Sequence, residues 1–347
     1  MAEAIPVIID KDKLKSELAV FLSVARTSKE VKEKFGLAEK DLRSLVKEIP
    51  DHDYYIHRTN GDLLYVVVSR ESERVPKPKV WTPRIHKKQP LIWVQMPDDV
   101  SWDRLIIIPL ADLHYGSFHC DEKLLNQRIR EIEMRENAFA IIEGDLIENA
   151  LDDSPGGAIY DQKMRPQEQV NRIIDKLLPI AHKILWATPG NHEDRTKKRC
   201  DLNPMRFICQ MLKIPYFEEP LFANILWKGN VFTFYCLHGS TNAQTEGGKM
   251  NRAAAPMKFI DFTMFVVMGH VHDKTTNKTL RICRERKFDA DGNLISFDLV
   301  ERKQYVVICP SFYGYFGSYA AKRPFSPGSR GKIVMTLFAN GDYHVPA

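Results

Sequence analysis

Five short polar clusters stand out along the chain: Asp112-Leu113-His114, Gly144-Asp145, Gly190-Asn191-His192-Glu193, His238-Gly239 and Gly269-His270-Val271-His272. They hold five of the eleven histidines, and none contains a cysteine. Carboxylate and amide oxygens are hard ligands and imidazole nitrogens borderline ones, so the set suits Mn²⁺, Fe or Zn²⁺ without choosing among them. Seven candidate ligands exceed what one catalytic ion needs once a position is kept open for water. Two divalent ions about 3.5–4 Å apart, sharing one carboxylate, are therefore expected.

Ligands so far apart in sequence must be gathered by a scaffold, and each cluster directly follows an apolar run. Leu105 to Leu110, Phe139 to Ile142, Ile184 to Ala187, Phe232 to Leu237 and Phe265 to Met268 read as strands. Residues 124–137 and 166–182 carry apolar residues at helical spacing. Strands alternating with helices predict a layered α/β domain, in which ligands bind beyond the carboxyl ends of the strands. Glycine beside the polar residues lets the backbone turn sharply and aim the next side chain into the cleft. After residue 275, Asp291-Gly292 and Asn340-Gly341 punctuate what read as short strands, a mainly β ending.

The ordered set DxH, GD, GNHE, H, GHxH resembles the calcineurin-like metallophosphoesterase superfamily over about residues 103–275. The resemblance implies a two-layer β-sandwich flanked by helices. It also implies that Asp112, His114 and His272 hold one metal, that Asp145 bridges, and that Asn191, His238 and His270 hold the second. His192 would stay off the metals and contact the phosphoryl group or protonate the leaving oxygen. Two cations acidify a bridging water to hydroxide near neutral pH and neutralise phosphate charge, so in-line phosphoester hydrolysis is the expected reaction. Protein phosphatases of the family continue GD as GDxxDRG; here Glu148 and Asn149 stand at the Asp and Arg positions. Glu148 could still orient His192, but the phosphate-gripping arginine is absent, which favours a phosphodiesterase or nuclease over a protein phosphatase.

The N-terminal part is organised differently. Residues 11–24, a stretch capped by Thr27 or Ser28 and ending near Gly36, and residues 39–48 read as three short helices. Tyr54 to Ile56, Asn60-Gly61 and Leu63 to Val68 spell a hairpin. The expectation is a winged-helix-like α+β domain over 1–69, a Pro-containing linker over 70–99 and the phosphoesterase domain over 100–347. Residues 1–69 carry 11 basic and 12 acidic side chains, whereas 70–88 carry seven (Arg70, Arg74, Lys77, Lys79, Arg84, Lys87, Lys88) against Glu71 and Glu73, an excess of +5. A basic strap joining a possible reader to a phosphodiester-cutting domain suits a polyanion. The third helix, with Lys40, Arg43 and Lys47 set against Glu39, Asp41 and Glu48, is not a strongly basic reading head. Further candidates for phosphate or base contact are Lys197, Lys198 and Arg199, and the run Phe312, Tyr313, Tyr315, Phe316 and Tyr319 ahead of Lys322 and Arg323. The loop from Asp152 to Lys163 follows a metal motif and could cover the site.

At 347 residues, with 44% hydrophobic and 27% charged side chains, the composition is that of a folded globular chain and argues against disorder or a collagen-like repeat. The longest apolar runs are too short to cross a bilayer, and charges interrupt the first 20 residues, unlike a secretory signal. Six cysteines without CxxC spacing read mostly as buried free thiols in a cytoplasmic protein. The combined expectation is a cytoplasmic, two-metal (Mn²⁺, with Fe or Zn²⁺ as alternatives) phosphodiesterase acting on nucleic acid, DNA above all, with no membrane partner; its oligomeric state is left open. The alternatives are a phosphomonoesterase for small molecules or proteins whose N-terminal domain recruits a partner, and a DNA-bound regulator with vestigial hydrolysis.

Overall fold

The computed structural model describes residues 11–22, 26–50, 52–59, 62–69, 78–81, 89–154, 158–318, 321 and 327–346. Two compact units divide the chain, one made chiefly of Met1–Pro76 and the other chiefly of Lys77–Ile173 and Ile180–Ala347.

The first unit runs α1 (Lys11–Leu22), β1 (Arg26–Thr27), α2 (Ser28–Phe35), α3 (Glu39–Lys47), β2 (His52–Thr59) and β3 (Asp62–Ser69). Thr27 caps α2: its hydroxyl accepts the Glu30 N–H at 3.2 Å while the Glu30 carboxylate accepts the Thr27 N–H at 2.7 Å. Gly36 ends the helix at φ +68°, a left-handed turn that suits glycine. Leu18, Leu22, Val31, Leu42, Val46 and Tyr65 form the unit's core. The strands lie in the order β1-β3-β2, all antiparallel. Strand β1 was not anticipated, because two residues carry no periodicity. The turn pair Asn60-Gly61 lies outside the described residues.

The second unit runs β4 (Lys79–Trp81), β5 (Leu91–Gln95), β6 (Arg104–Leu110), α4 (Glu122–Met134), β7 (Ala138–Glu143), α5 (Pro166–Leu177), β8 (Ile184–Thr188), α6 (Asn191–Cys200), α7 (Pro204–Leu212), β9 (Leu221–Trp227), β10 (Asn230–Leu237), α8 (Glu246–Ala254), β11 (Phe265–Met268), β12 (Thr275–Phe288), β13 (Leu294–Ile308), β14 (Met335–Phe338) and β15 (Tyr343–His344). One sheet has the order β15-β14-β6-β7-β8, the other β12-β13-β11-β10-β9-β5-β4. Their facing side chains make one core, with Ile107, Phe139 and Trp186 from the first sheet against Val94, Phe232 and Phe265 from the second. Each such buried side chain stabilises the sandwich by about 1.5–3 kcal/mol. On the other face of the larger sheet, Ala253 of α8 packs with Tyr235, Val266 and Val306.

The five-stranded sheet carries β6, β7 and β8 in parallel, and the seven-stranded sheet carries β10 and β11 in parallel. These are the five strands that run into the polar clusters. The stretch expected to be linker behaves otherwise: β4 and β5 pair with each other, and β5 pairs with β9. Alternate residues Ile92 and Val94 are buried, a period-two pattern that the neighbouring prolines mask in the sequence. Of the basic residues of the stretch only Lys79 is described; Arg70, Arg74, Lys77, Arg84, Lys87 and Lys88 lie outside the described residues. The helix expected over 166–182 ends at Leu177, where Pro179 converts the last turns to a 3₁₀ segment. Instead of short strands, β12 and β13 form a long two-stranded ribbon turned at Gly292, φ +85°. It exposes Leu280, Ile282, Phe288, Phe297 and Leu299. Among the described residues, no helix is long and apolar enough to cross a membrane. All six cysteines are free, and Cys120, Cys209, Cys236 and Cys309 are buried.

One buried cation fastens the end of α4. The Lys183 ammonium donates to the carbonyls of Ile132, Glu133 and Arg135 at 2.9, 3.2 and 2.7 Å, satisfying a helix terminus that its own backbone cannot. Burial pushes this ammonium down to about 8, against the neighbouring Glu133 and Glu136 carboxylates, which favour its charge. Lys183→Met, which keeps the stem and deletes the donors, is expected to destabilise the protein by about 2–3 kcal/mol, read as a lower urea midpoint; an unchanged midpoint would show the cap to be dispensable.

Candidate metal centre

The centre begins where two parallel strands continue as loops. Beyond β6 and β7, the Asp112 and His114 N–H groups donate to the carbonyls of Gly144 and Asp145 at 3.1 and 3.0 Å. The DxH and GD turns are thus zipped together as the strands were. Asp112, His114, Asp145, His270 and His272 all have positive φ, between 46° and 71°. Non-glycine residues seldom accept such conformations, and they persist where surrounding structure enforces them, commonly at functional sites.

Close backbone approach explains the glycines more directly than turning does. A Cβ on Gly190 would lie 2.0 Å from Asp145 Oδ1 and 2.2 Å from its N, and one on Gly144 would lie 2.5 Å from His238 Nδ1. Only Gly144 has positive φ of these two. Across this contact the buried Glu193 carboxylate accepts the N–H groups of Gly190, Asp145 and Ile147 at 3.0, 3.1 and 3.1 Å. Burial, with Asp145 nearby, raises its pKa to about 7. Asp145 Oδ1 in turn accepts the His192 N–H at 2.9 Å.

The seven expected ligands do converge. Asp145 Oδ2 lies 3.3 Å from His238 Nε2, 3.8 Å from His192 Nε2 and 3.9 Å from His114 Nε2. On one side, His272 Nε2 is 2.9 Å from His114 Nε2 and 3.4 Å from Asp112 Oδ1. On the other, Asn191 Oδ1 sits 3.1 Å from His238 Nε2 and 2.8 Å from His270 Nδ1. Three groups have ligand atoms close enough to share an ion: Asp112, His114 and His272; Asp145, His238 and His270; and His114, Asp145 and His192. The donors fit divalent cations, since imidazole nitrogens and carboxylate oxygens are turned on one another at distances that one ion could span. Ring orientation is fixed from behind: His238 Nδ1 donates to the Glu143 carbonyl at 2.8 Å, turning Nε2 to the centre.

Burial alone would lower the pKa of His238, but Asp145 and Asp112 push it up to about 10. Burial would likewise raise Asp145, yet His238, His192 and His114 hold its carboxyl well below the usual range. The carboxylates of the centre therefore favour a charged imidazole at His238.

Glu148 and Asn149 occupy the two positions where the sequence departs from GDxxDRG. Glu148 Oε1 lies 3.6 Å from His192 Nδ1, but the nearer partner of that nitrogen is the Glu148 main-chain carbonyl, at 2.7 Å. Its other carboxylate oxygen stands 3.3 Å from His114 Nδ1. The side chain therefore braces His114 as much as His192, and the backbone does the orienting of His192. Asn149 is buried: its amide donates to the His192 carbonyl at 2.6 Å and accepts the Thr196 hydroxyl at 2.8 Å.

Two site residues were not assigned a place there from the sequence. Arg195 Nη2 donates to His192 Nε2 at 2.8 Å and Nη1 donates to the Glu148 carbonyl at 3.0 Å; its signal was the three-residue spacing from His192, one turn of what proves to be α6. Tyr313 packs its ring 5.0 Å from His114 and 5.8 Å from His272. The aromatic run containing it divides, since Phe312 is buried and Phe316 exposed, while Tyr319, Lys322 and Arg323 lie outside the described residues. So do Pro155, Gly156 and Gly157 of the 152–163 loop.

Divalent-cation binding must displace the proton of His238, so affinity is expected to rise with pH across the neutral range and binding to release protons into a weakly buffered solution; pH-independent affinity would contradict this arrangement. Gly190→Ala should cost at least ~10-fold in metal affinity, measured by metal titration, because the added methyl displaces Asp145.

The calcineurin-like phosphoesterase family model matches residues 107–290. No curated protein sequence matches the chain.

Proposed function

Since the chain belongs to the calcineurin-like phosphoesterase family, and is thereby a metal-dependent phosphoester hydrolase, we propose that its substrates are phosphodiesters, with DNA the favoured polymer and Mn²⁺ the working metal. The observation that carries this reading is Asn149. At the position where a phosphatase places its arginine, this chain has a buried amide committed to the His192 carbonyl and to Thr196. A terminal phosphate presents more negative oxygens than a diester, so a site lacking that clamp suits the less charged group.

Asp112, His114 and His272 would hold one ion, Asn191, His238 and His270 the other, and Asp145 both. Bound there, two divalent cations supply positive charge against the phosphate oxygens and acidify a water. In the reaction a P–O bond forms to the water oxygen, the P–O bond to the leaving group breaks, and the leaving oxygen takes up a proton. Burial holds His192 to a pKa of about 4, and its Nε2 accepts from Arg195. A neutral ring whose Nδ1–H is spent on the Glu148 carbonyl carries no proton at Nε2, so in this state the Arg195 guanidinium, and not His192, is the donor offered to a phosphoryl oxygen.

The first unit orders its elements as a winged helix does, helix, strand, two helices and a hairpin, and would contribute nucleic-acid contact. Lys40 and Lys47 on α3 are exposed, whereas Arg43 is engaged by Glu39 and the Tyr65 hydroxyl. If the intact protein binds DNA through phosphates, its affinity must fall as salt rises; salt-independent or absent binding would remove DNA as the partner.

A second reading, a phosphomonoesterase, is favoured by Arg195, the guanidinium standing against His192. Bis(p-nitrophenyl) phosphate and p-nitrophenyl phosphate, assayed side by side with Mn²⁺, separate the two. The diester is expected to give the higher kcat/KM, and Asp145→Asn to lower it by about 10²–10³-fold or more while releasing metal. Preference for the monoester would reverse the assignment.

A further inference from the structure

Helix α6 begins inside the metal centre with Asn191 and His192 and leaves it by way of Arg195, Lys198 and Arg199, residues that share one face at three- and four-residue spacing. Along that face opens a cavity of about 350 Å³ lined by Leu151, Asp153, Ser154, Arg195, Lys198 and Arg199. Arg195 belongs to both places: its guanidinium touches His192 Nε2 and also walls the cavity. A group attached to the phosphoryl centre on the His192 side would therefore enter this cavity.

The lining has a definite chemistry. Three cations face one carboxylate, a hydroxyl and one aliphatic side chain. Arg199 is held against the wall by ion pairs to Asp152 and Asp153. Lys198 has no ion pair among the described residues, whereas its neighbour Lys197 turns away to Glu218 at 3.0 Å. The basic run Lys197-Lys198-Arg199 is thus split by the helix into one residue tied on the surface and two that serve the cavity.

We propose that this cavity is the subsite for a leaving group that carries a second phosphate, with Lys198 and Arg195 as its anion-binding side chains. The inference rests on the phosphodiester reading and sharpens it. A leaving alcohol with no further phosphate needs no such place, whereas a nucleotide unit released from a strand, or from a small bisphosphorylated diester, presents a phosphate next to the one being cut. Because Arg195 spans both sites, a second phosphate in the cavity would accept from the same guanidinium that stands against His192.

Two measurements on the full-length protein test this. In the first, KM is compared for a thymidine dinucleotide with and without an added terminal phosphate, at either end. The wild type should favour a phosphorylated form by about 10-fold, Lys198→Ala should bring the ratio close to one, and Lys197→Ala should keep it. A ratio that Lys198→Ala leaves as in the wild type overturns the proposal. Extending the comparison to a short oligothymidylate separates sources: an equal effect there assigns the subsite to a strand, and an effect on the dinucleotide alone assigns it to a small diester. In the second, calorimetry with thymidine bisphosphate reads the cavity without turnover. Binding weakened about 10-fold or more by Lys198→Glu is expected, and equal binding by both proteins overturns the proposal. Should the wild type cleave neither diester nor monoester, the hydrolytic reading fails by itself, and calorimetry still decides the cavity.

Discussion

Everything at the metal centre depends on how closely two turns approach. The GD turn after β7 and the GNHE turn after β8 meet with no space for a side chain at Gly190, and the Glu193 carboxylate binds backbone N–H groups from both. That one clamp fixes Asp145 against His238 and His192 and starts α6 in the same stroke, so ligand geometry and helix direction are set together. The buried Glu193 carboxylate is tolerated because both of its oxygens find partners, and those partners are main-chain groups that cannot swing away. A carboxylate satisfied by three amides is also a poor substitute for a metal ligand, which keeps Glu193 structural in a cluster otherwise built to hold cations.

How legible was this in the sequence? The five strand-plus-cluster units read correctly because burial on both faces writes itself as an apolar run, and because glycine, aspartate and histidine are seldom neighbours by accident. The side chains that share one place in space, Asp112 with His272 and Asn191 with His270, follow from that reading once the strands are parallel. The role of Glu148 was less legible. Its carboxylate could be assigned to His192 by position, but only the fold reveals that the backbone carbonyl is the closer partner and that the carboxylate also faces His114. Arg195 was missed for a related reason: GNHE reads as a loop until Gly190 is seen to cap a helix, and helical spacing then carries Arg195 back to His192.

The prolines between residues 76 and 90 misled in another way. They read as linker, yet β4 and β5 take their places at the margin of the seven-stranded sheet, where local rigidity costs little. Composition reports the stiffness of a segment and says nothing of what it pairs with. The same limit applied to the segment after residue 275, where Asp-Gly correctly marked a turn but the extent of the flanking strands depended on pairing that no short window contains.

That ribbon has a consequence for the company the protein keeps. Strand β12 is the outermost strand of its sheet, and an uncovered edge beside exposed Leu280, Ile282 and Phe288 is the usual template for runaway strand addition. Its sequence answers with Lys278, Arg281, Arg284, Arg286 and Lys287. A second ribbon alongside in the same orientation would bring cation against cation at most of its charged positions, Glu285 excepted. The margin thus discourages addition of its own kind.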